Sequence, residues 1–521
     1  MATVTGLGHA GLKIEASGER FLIDPWLSPR GAFQGSWFPY PDNSHLLGAD
    51  LFAPSAVILS HEHLDHVDPW FLARVPPSVP AVVPRYPSPV LRRKILAAGE
   101  RQVIEIPPWE WAEVGAARVL FVSEESPMNH DSAIVVQAGG RTVLDLNDAR
   151  LSPVQFREIR ARVGGPIDVF AFQAAGASWY PMCYEYPEER RRELSSRKRL
   201  AKLTYAARAM EIVEPIVGLP FAGPPCFLDP DLFAMNDEMD GGIFPDQAQA
   251  AEFLQARALD NVALLLPGDT WDAADGLRHP DPTWGDFSFA DRAPYLRDYA
   301  RRRRAEIDAV IARTPEPSGS LWEPFREYFG WLVGVSPYFN RKIGMRVGFD
   351  ITGPGGGRWA VDFRPGSEGV DPEMGSCPHV YRFASRWLPP ILRGEVPWED
   401  FFLSLRFSAR RAPDVYNDHL LGLLKFAEPD ALRRVEEYET SLESEEWLTL
   451  HAEGRSYRVA RYCPHAGNDL LETGEILPGR ILRCLAHHYE FSLDSGECLT
   501  SSGLELDVEP VDPVAADRGP D

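Results

Sequence analysis

At 521 residues the chain is too long for one hydrophobic core, and two or three domains are expected. A composition of 44% apolar and 25% charged residues is that of a soluble globular protein: no apolar run approaches the roughly 18 to 20 residues of a membrane span, and MATVTGLGHAG lacks the basic and apolar blocks of a signal peptide, so the cytoplasm is the expected location. A formal charge of −23 argues against a nucleic-acid partner, since phosphate binding relies on clustered Lys and Arg to release counterions.

The first residues read as short strands joined by turns. LKIEA, a turn carrying Ser17 and Gly18, and FLIDPW form a predicted hairpin. A strand AVILS (56–60), a helix from about Pro69, a strand RVLFV (118–122) and a second hairpin around Gly139 and Gly140 follow. Then come a strand IDVFAF (167–172) and a long helix over roughly 187–213, ending before Pro215. Hairpins interspersed with helices imply a layered α/β domain with mixed sheets, placed at 1–260. Residues 261–428, rich in Trp, Pro and Arg, are expected to form a helical or mixed extension packed on it. A polar, acidic stretch near 426–446 precedes renewed short strands, which places a further domain at 429–512 and a disordered tail at 513–521.

From residue 426 onward, 8 Lys and Arg face 21 Asp and Glu, so −13 of the net charge sits there. The one basic run, RRRELSSRKRLAK (190–202), reads first as a solvated helix face and second as a receiver for an anionic substrate. The six cysteines (Cys183, Cys226, Cys377, Cys463, Cys484, Cys498) are too sparse for a disulfide scaffold, which fits a reducing compartment and makes clustered Cys metal candidates.

SHEHLDHVD, residues 60–68, follows the apolar run AVIL. A loop leaving a strand can turn His61, His63, Asp65 and His66 toward one point, and imidazole with carboxylate suits Zn, Fe or Mn without selecting among them. The H-x-H-x-D-H pattern resembles the metallo-β-lactamase superfamily. That resemblance implies an αββα sandwich with further ligands after later strands: His130 in MNHDSAIVV, and Asp148 in VLDLNDAR as the carboxylate that bridges two metals, with Asp145 as its rival. Asp65 and His66 would serve as second-metal ligands or as orienting neighbours. His9 in GLGHAG stands where a branch of the superfamily keeps a histidine near the metal without binding it. The superfamily's last histidine is missing from the matching EPIVGLPFAGPPC, so one metal or two is left open.

Cys-Pro-His occurs at 377–379 and at 463–465, but only the second copy has a partner pair, Cys484 and His487 in CLAHHYEF. Cys463, His465, Cys484 and His487 form a Rieske [2Fe–2S] ligand set, two thiolates on one iron and two imidazoles on the other, and AGNDL, GRILRC and YEFSLDSGEC resemble the small all-β Rieske fold. A zinc ribbon is the competing reading. His488, where many relatives have Gly, could tune the cluster or face an electron partner. Cys377 and His379 read as packing residues.

A redox cluster joined to a metallo-β-lactamase domain argues for iron and O₂ at the first site, because hydrolysis needs no electrons. The pairing resembles the CMP-N-acetylneuraminate hydroxylase family, on HAGLKIE, FLIDPW, SHEHLDH, FQAAGASWYPM, PFAG, FREYFGWLVG and RRAPDVYNDHL. In that family the Rieske domain comes first; here it is last. The resemblance implies a Rieske-dependent non-haem iron monooxygenase that hydroxylates a small polar substrate at carbon, and the reordered domains keep oxygenation of an amine nitrogen as a second option. Electrons would come from an external ferredoxin and reductase or a cytochrome, and homo-oligomerisation is left open. The alternatives are a hydrolase that keeps zinc beside an accessory cluster, and a redox-sensing protein without its own substrate. Trp179 and Tyr180 are candidate pocket aromatics, with core packing as the plainer role.

Overall fold

The computed structural model describes residues 2–124, 126–175, 178–441 and 446–511. The expected tail at 513–521 lies outside them. The chain opens with β1 (Thr3–Gly8), β2 (Gly11–Ala16) and β3 (Glu19–Ile23), a meander whose second turn holds Ser17 and Gly18 at φ 54° and 82°. Two positive φ values in a two-residue loop match the twist of the flanking strands. β3 then pairs in parallel with β4 (Ala56–Ile58), and parallel pairing continues through β5 (Ala81–Pro84) to β6 (Val103–Ile106).

The second sheet runs β7 (Ala112–Val114), β8 (Ala117–Ser123), β9 (Ser132–Ala138), β10 (Arg141–Asp145), β11 (Val169–Gln173) and β12 (Val217–Phe221), in spatial order β12-β11-β10-β9-β8-β7. Gly139 and Gly140, both at positive φ, make the β9–β10 turn where the sequence places it. The long helix is Glu188–Val213, closed by Glu214 at φ 48° directly before Pro215, which cannot continue it.

Ile14, Phe21, Ile58 and Val82 from one sheet form a single buried cluster with Val119, Phe121, Ile134 and Val136 from the other. Each such side chain contributes roughly 1.5–3 kcal/mol when fully buried. The second sheet's outer face buries Phe170 and Phe172 with Phe156 of helix Pro153–Val163 and Met210 of helix Glu188–Val213. The first sheet's outer face buries Val57 and Val83 with Phe71, Leu91 and Ile95 of helices Pro69–Leu72 and Val90–Ala97. The architecture is the expected αββα sandwich.

The boundary expected at 260/261 falls elsewhere. β13 (Thr270–Asp272) pairs with β1 and carries β14 (Gly276–Arg278), completing an eight-stranded sheet. One unit therefore comprises residues 2–124, 130–319 and 383–408. The other comprises 126–129, 320–382 and 409–511, so the segment expected at 261–428 is divided between the two. A five-stranded sheet is built from Arg346–Thr352, Gly357–Asp362, Val370–Asp371, His379–Ala384 and Phe407–Arg411. The C-terminal strands form two antiparallel three-stranded sheets, Trp447–Ala452 with Arg455–Ala460 and Val508–Val511, and Gly474–Leu477 with Ile481–Cys484 and Glu490–Ser492. Among the described residues no helix is long and apolar enough to cross a membrane.

Candidate metal centres

The topology gathers the first centre at one edge of the sandwich. β3 and β4 are parallel, so Asp24 and the 60–66 loop leave them on the same side. β9 and β10 are antiparallel with Ile134 opposite Asp145, which puts the residues before β9 beside those after β10. Three overlapping groups of donor atoms lie within 4.8 Å of one another there: His61, His63 and Asp131; His61, His66 and Asp148; and His9, Asp65 and His66.

Hydrogen bonds select which ring nitrogen each histidine offers. His66 Nδ1 donates to Asp24 Oδ2 at 2.7 Å, leaving Nε2, buried without a hydrogen-bond partner, 3.5 Å from Asp148 Oδ1 and 3.7 Å from Asp65 Oδ2. His61 Nδ1 lies 2.9 Å from Ser60 Oγ, which donates in turn to Asp24. His61 Nε2 then faces His63 Nδ1 at 2.8 Å, while His63 Nε2 points to Glu399 Oε1 at 3.4 Å. A carboxylate or hydroxyl on the far nitrogen is the usual way a metal-binding imidazole is oriented. His9 Nε2 reaches Asp65 Oδ2 at 2.8 Å, and Gln173 Nε2 donates to Asp148 Oδ1 at 2.5 Å.

The electrostatics favour a cation. Burial opposes charge on His66, but Asp148, Asp65 and Asp24 together hold its pKa well above the usual imidazole range. Burial also works against ionisation of Asp148, yet the His66 charge outweighs it and pulls that carboxyl down to about 2. A proton on His66 thus stands where a metal would supply positive charge. Backbone strain collects here too: His9, Asp24 and Asn147 sit at φ 51°, 40° and 40°. Non-glycine residues in this region cost of order 1–3 kcal/mol each and persist where surrounding packing enforces them.

Two residues sit differently from the sequence reading. His130 belongs to none of the three groups: its Nδ1 lies 3.2 Å from Glu62 Oε1 and its ring stacks on Tyr86 at 4.8 Å. Its neighbour Asp131 instead shares a donor group with His61 and His63, its carboxylate 3.7 Å from His61 Nε2. His9 shares a donor group with Asp65 and His66. Between the rivals, Asp148 converges on the histidines, whereas Asp145 is fully buried, accepts the Asn147 amide, and is pushed well up by burial and the Asp24 charge. Asp131 was legible as a neighbour of His130 in the same turn. Glu399 carries no local signal at all.

The second centre lies within the C-terminal strands. Cys463 and Cys484 are buried in the same core cluster, each at the head of a tight loop: Gly467 N–H donates to Cys463 O, and His488 N–H to Cys484 O. The two thiols are hydrogen-bonded to each other, which holds Cys484 down to about 6 and pushes Cys463 up. His465 and His487 face each other with ring centroids 4.8 Å apart at 63°. Two adjacent sulfurs and two adjacent imidazoles match what a [2Fe–2S] cluster with mixed ligation requires. His488 holds φ 65°, a left-handed conformation that glycine adopts without steric cost. Cys377, by contrast, donates to Met374 O at 3.1 Å and His379 stacks on Tyr381, in keeping with packing roles.

The family described as Beta-lactamase superfamily domain matches residues 19–208, and the family described as Rieske [2Fe-2S] domain matches residues 424–505. A protein of Mycolicibacterium smegmatis named as a Rieske 2Fe-2S iron-sulfur protein is 31% identical over 96% of this chain and 99% of its own length. The cytidine monophosphate-N-acetylneuraminic acid hydroxylase of Danio rerio is 24% identical over 82% of this chain and 73% of its own. Among solved structures, CmlA, a diiron beta-hydroxylase from Streptomyces venezuelae, is 20% identical over 51% of this chain and 53% of its own, with a TM-score of 0.37. The chain belongs to the family of Rieske 2Fe-2S iron-sulfur proteins, with a β-lactamase-superfamily domain followed by a C-terminal domain that carries the [2Fe–2S] cluster.

Proposed function

We propose that this protein is a Rieske-dependent non-haem iron monooxygenase. The observation that carries the reading is the coexistence, in one chain, of a thiolate and imidazole centre suited to moving electrons with a buried histidine and carboxylate centre suited to a cation. The sequence kinship with the cytidine monophosphate-N-acetylneuraminic acid hydroxylases supports it. Iron at the first centre would supply O₂ activation for oxygenation at carbon or at an amine nitrogen, and the cluster would supply the electrons.

The chain's own residues would then act as follows. His61, His63 and Asp131 would hold one metal position, and His9, Asp65 and His66 a second, with Asp148 between them beside His61 and His66. Asp24, Ser60 and Glu399 would orient the imidazoles. The burial of His61, Asp65 and His66 would exclude water. On the 188–213 helix, Lys198 and Lys202 share a face; Lys202 is 5% exposed, and burial, followed by the charges of Lys198 and Arg150, holds its pKa well below the usual lysine range. Lys198 and Arg150, the cations beside it, support a small polar substrate carrying an anionic group. An external redox protein would deliver electrons, and the −13 charge of residues 426–521 favours a donor with a basic docking face.

Metal analysis tests the reading. Three or four irons per chain are expected, whereas two irons with zinc in the first centre would overturn it in favour of a hydrolase with an accessory cluster. In a dithionite-reduced sample exposed to air with candidate anionic substrates, Cys484→Ser should abolish coupled O₂ consumption.

A further inference from the structure

The segment RRAPDVYNDHL contains Asp418, six residues before the matched Rieske segment 424–505 begins. Asn417 caps the helix Asp418–Phe426 by accepting the Leu420 amide at 2.7 Å, which places the Asp418 carboxylate in the first turn, where the helix dipole favours negative charge. Both of its oxygens are engaged by hydroxyls from the cluster domain. Oδ1 accepts from Tyr489 at 2.6 Å and Oδ2 from Ser501 at 2.6 Å. Hydrogen bonds to a carboxylate of this length are among the stronger ones available to a side chain.

Tyr489 is doubly tied to the cluster ligands. Its ring lies flat on His465, with centroids 4.1 Å apart and planes 17° from parallel, and its carbonyl accepts the Cys484 amide at 2.8 Å. The neighbouring strap is separate: Asn417 Nδ2 donates to Ser502 Oγ at 2.9 Å, and Tyr416 exchanges backbone bonds with Thr500 and Ser502. We propose that Asp418 is a positioning residue for the cluster, acting through Tyr489 to fix the plane of the His465 imidazole and placing a negative charge near the histidine-ligated end. Hydrogen bonding and nearby charge are established levers on the potential of such clusters.

The sign follows from charge. Reduction adds one electron, and a carboxylate nearby opposes it, so removing that charge makes reduction easier. The full-length protein with its cluster is titrated redoxometrically, and the dithionite-reduced form is examined by electron paramagnetic resonance. Asp418→Asn keeps an oxygen to accept the Tyr489 hydroxyl but loses the charge. It should raise the midpoint by about tenfold in the reduction equilibrium, which is 59 mV for one electron, with linewidths unchanged. Asp418→Ala and Tyr489→Phe release the ring and should broaden the spectrum. Ser502→Ala cuts only the neighbouring strap and should change neither readout. The proposal is overturned if Asp418→Asn leaves the midpoint in place, or if Ser502→Ala shifts it as far as Asp418→Asn does. Should Asp418→Ala fail to retain its cluster, the Asp418→Asn midpoint decides alone.

Discussion

Cys377 and Cys463 each open a Cys-Pro-His tripeptide, yet only the second copy sits opposite another thiol. His379 is 3% exposed, and burial followed by the charge of Arg411 pulls its pKa to about 3. An unfolded histidine titrates near 6.5, so the folded state binds fewer protons between the two values. The contribution of neutral His379 is full above about pH 6.5 and is lost as pH falls toward 3, by at most about 1.4 kcal/mol per pH unit. His379→Gln should flatten that acid limb in denaturant titrations at stepped pH. At the first centre, Asp131→Ala should strip metal while His130→Ala keeps it, measured by metal content with the visible spectrum of the cluster as an internal standard. Glu399→Gln, which removes the charge facing His63 Nε2, should weaken metal binding by about 10–100-fold.

At the scale of elements, the strands deliver site residues because their ends are short and their caps are strong. Helix Pro153–Val163 begins after β10 with a full capping box, Ser152 accepting from Gln155 N and Gln155 returning to the Ser152 amide, and closes on Gly164 at φ 66°. Gln155 also donates to Ser123 O at the end of β8, so the cap ties the helix to the sheet beside the site. Ser152→Ala should cost about 1 kcal/mol of stability, read as a shifted urea midpoint with an unchanged slope. The expected helix from Pro69 proved to be a single turn, Pro69–Leu72, capped by Asp68, whose Oδ1 accepts the Trp70 and Phe71 amides and whose Oδ2 accepts the Leu27 amide. That one turn still seats Phe71 in the core and closes the 60–66 loop.

For the whole molecule, the C-terminal domain is the part that leans on its cofactor. Its core cluster is small and includes both Cys463 and Cys484, so the ligands are also core residues. A domain of that size draws a large share of its stability from such a staple. Cys463→Ser should therefore raise hydrogen exchange across residues 446–511 and leave the amides of β8, β9 and β10 protected.

Much of this was legible along the chain. Strand alternation, turn glycines and the proline after residue 214 located the hairpins and the long helix, because those signals are local. The clustering of the 60–66 histidines, and the approach of Cys463 to Cys484 and of His465 to His487, were legible for the same reason, each coming from a short motif whose spacing encodes its geometry. Three things were decided only by tertiary structure. The grouping of Asp131 rather than His130 with His61 and His63 depends on how the segment before β9 meets the 60–66 loop. The use of His9 depends on a left-handed turn that brings β1 next to the 60–66 loop. The pairing of Glu399 with His63, and of Asp418 with Tyr489, joins residues with no sequence relation, since contacts between distant segments follow from how sheets and helices stack and not from the spacing of any one of them.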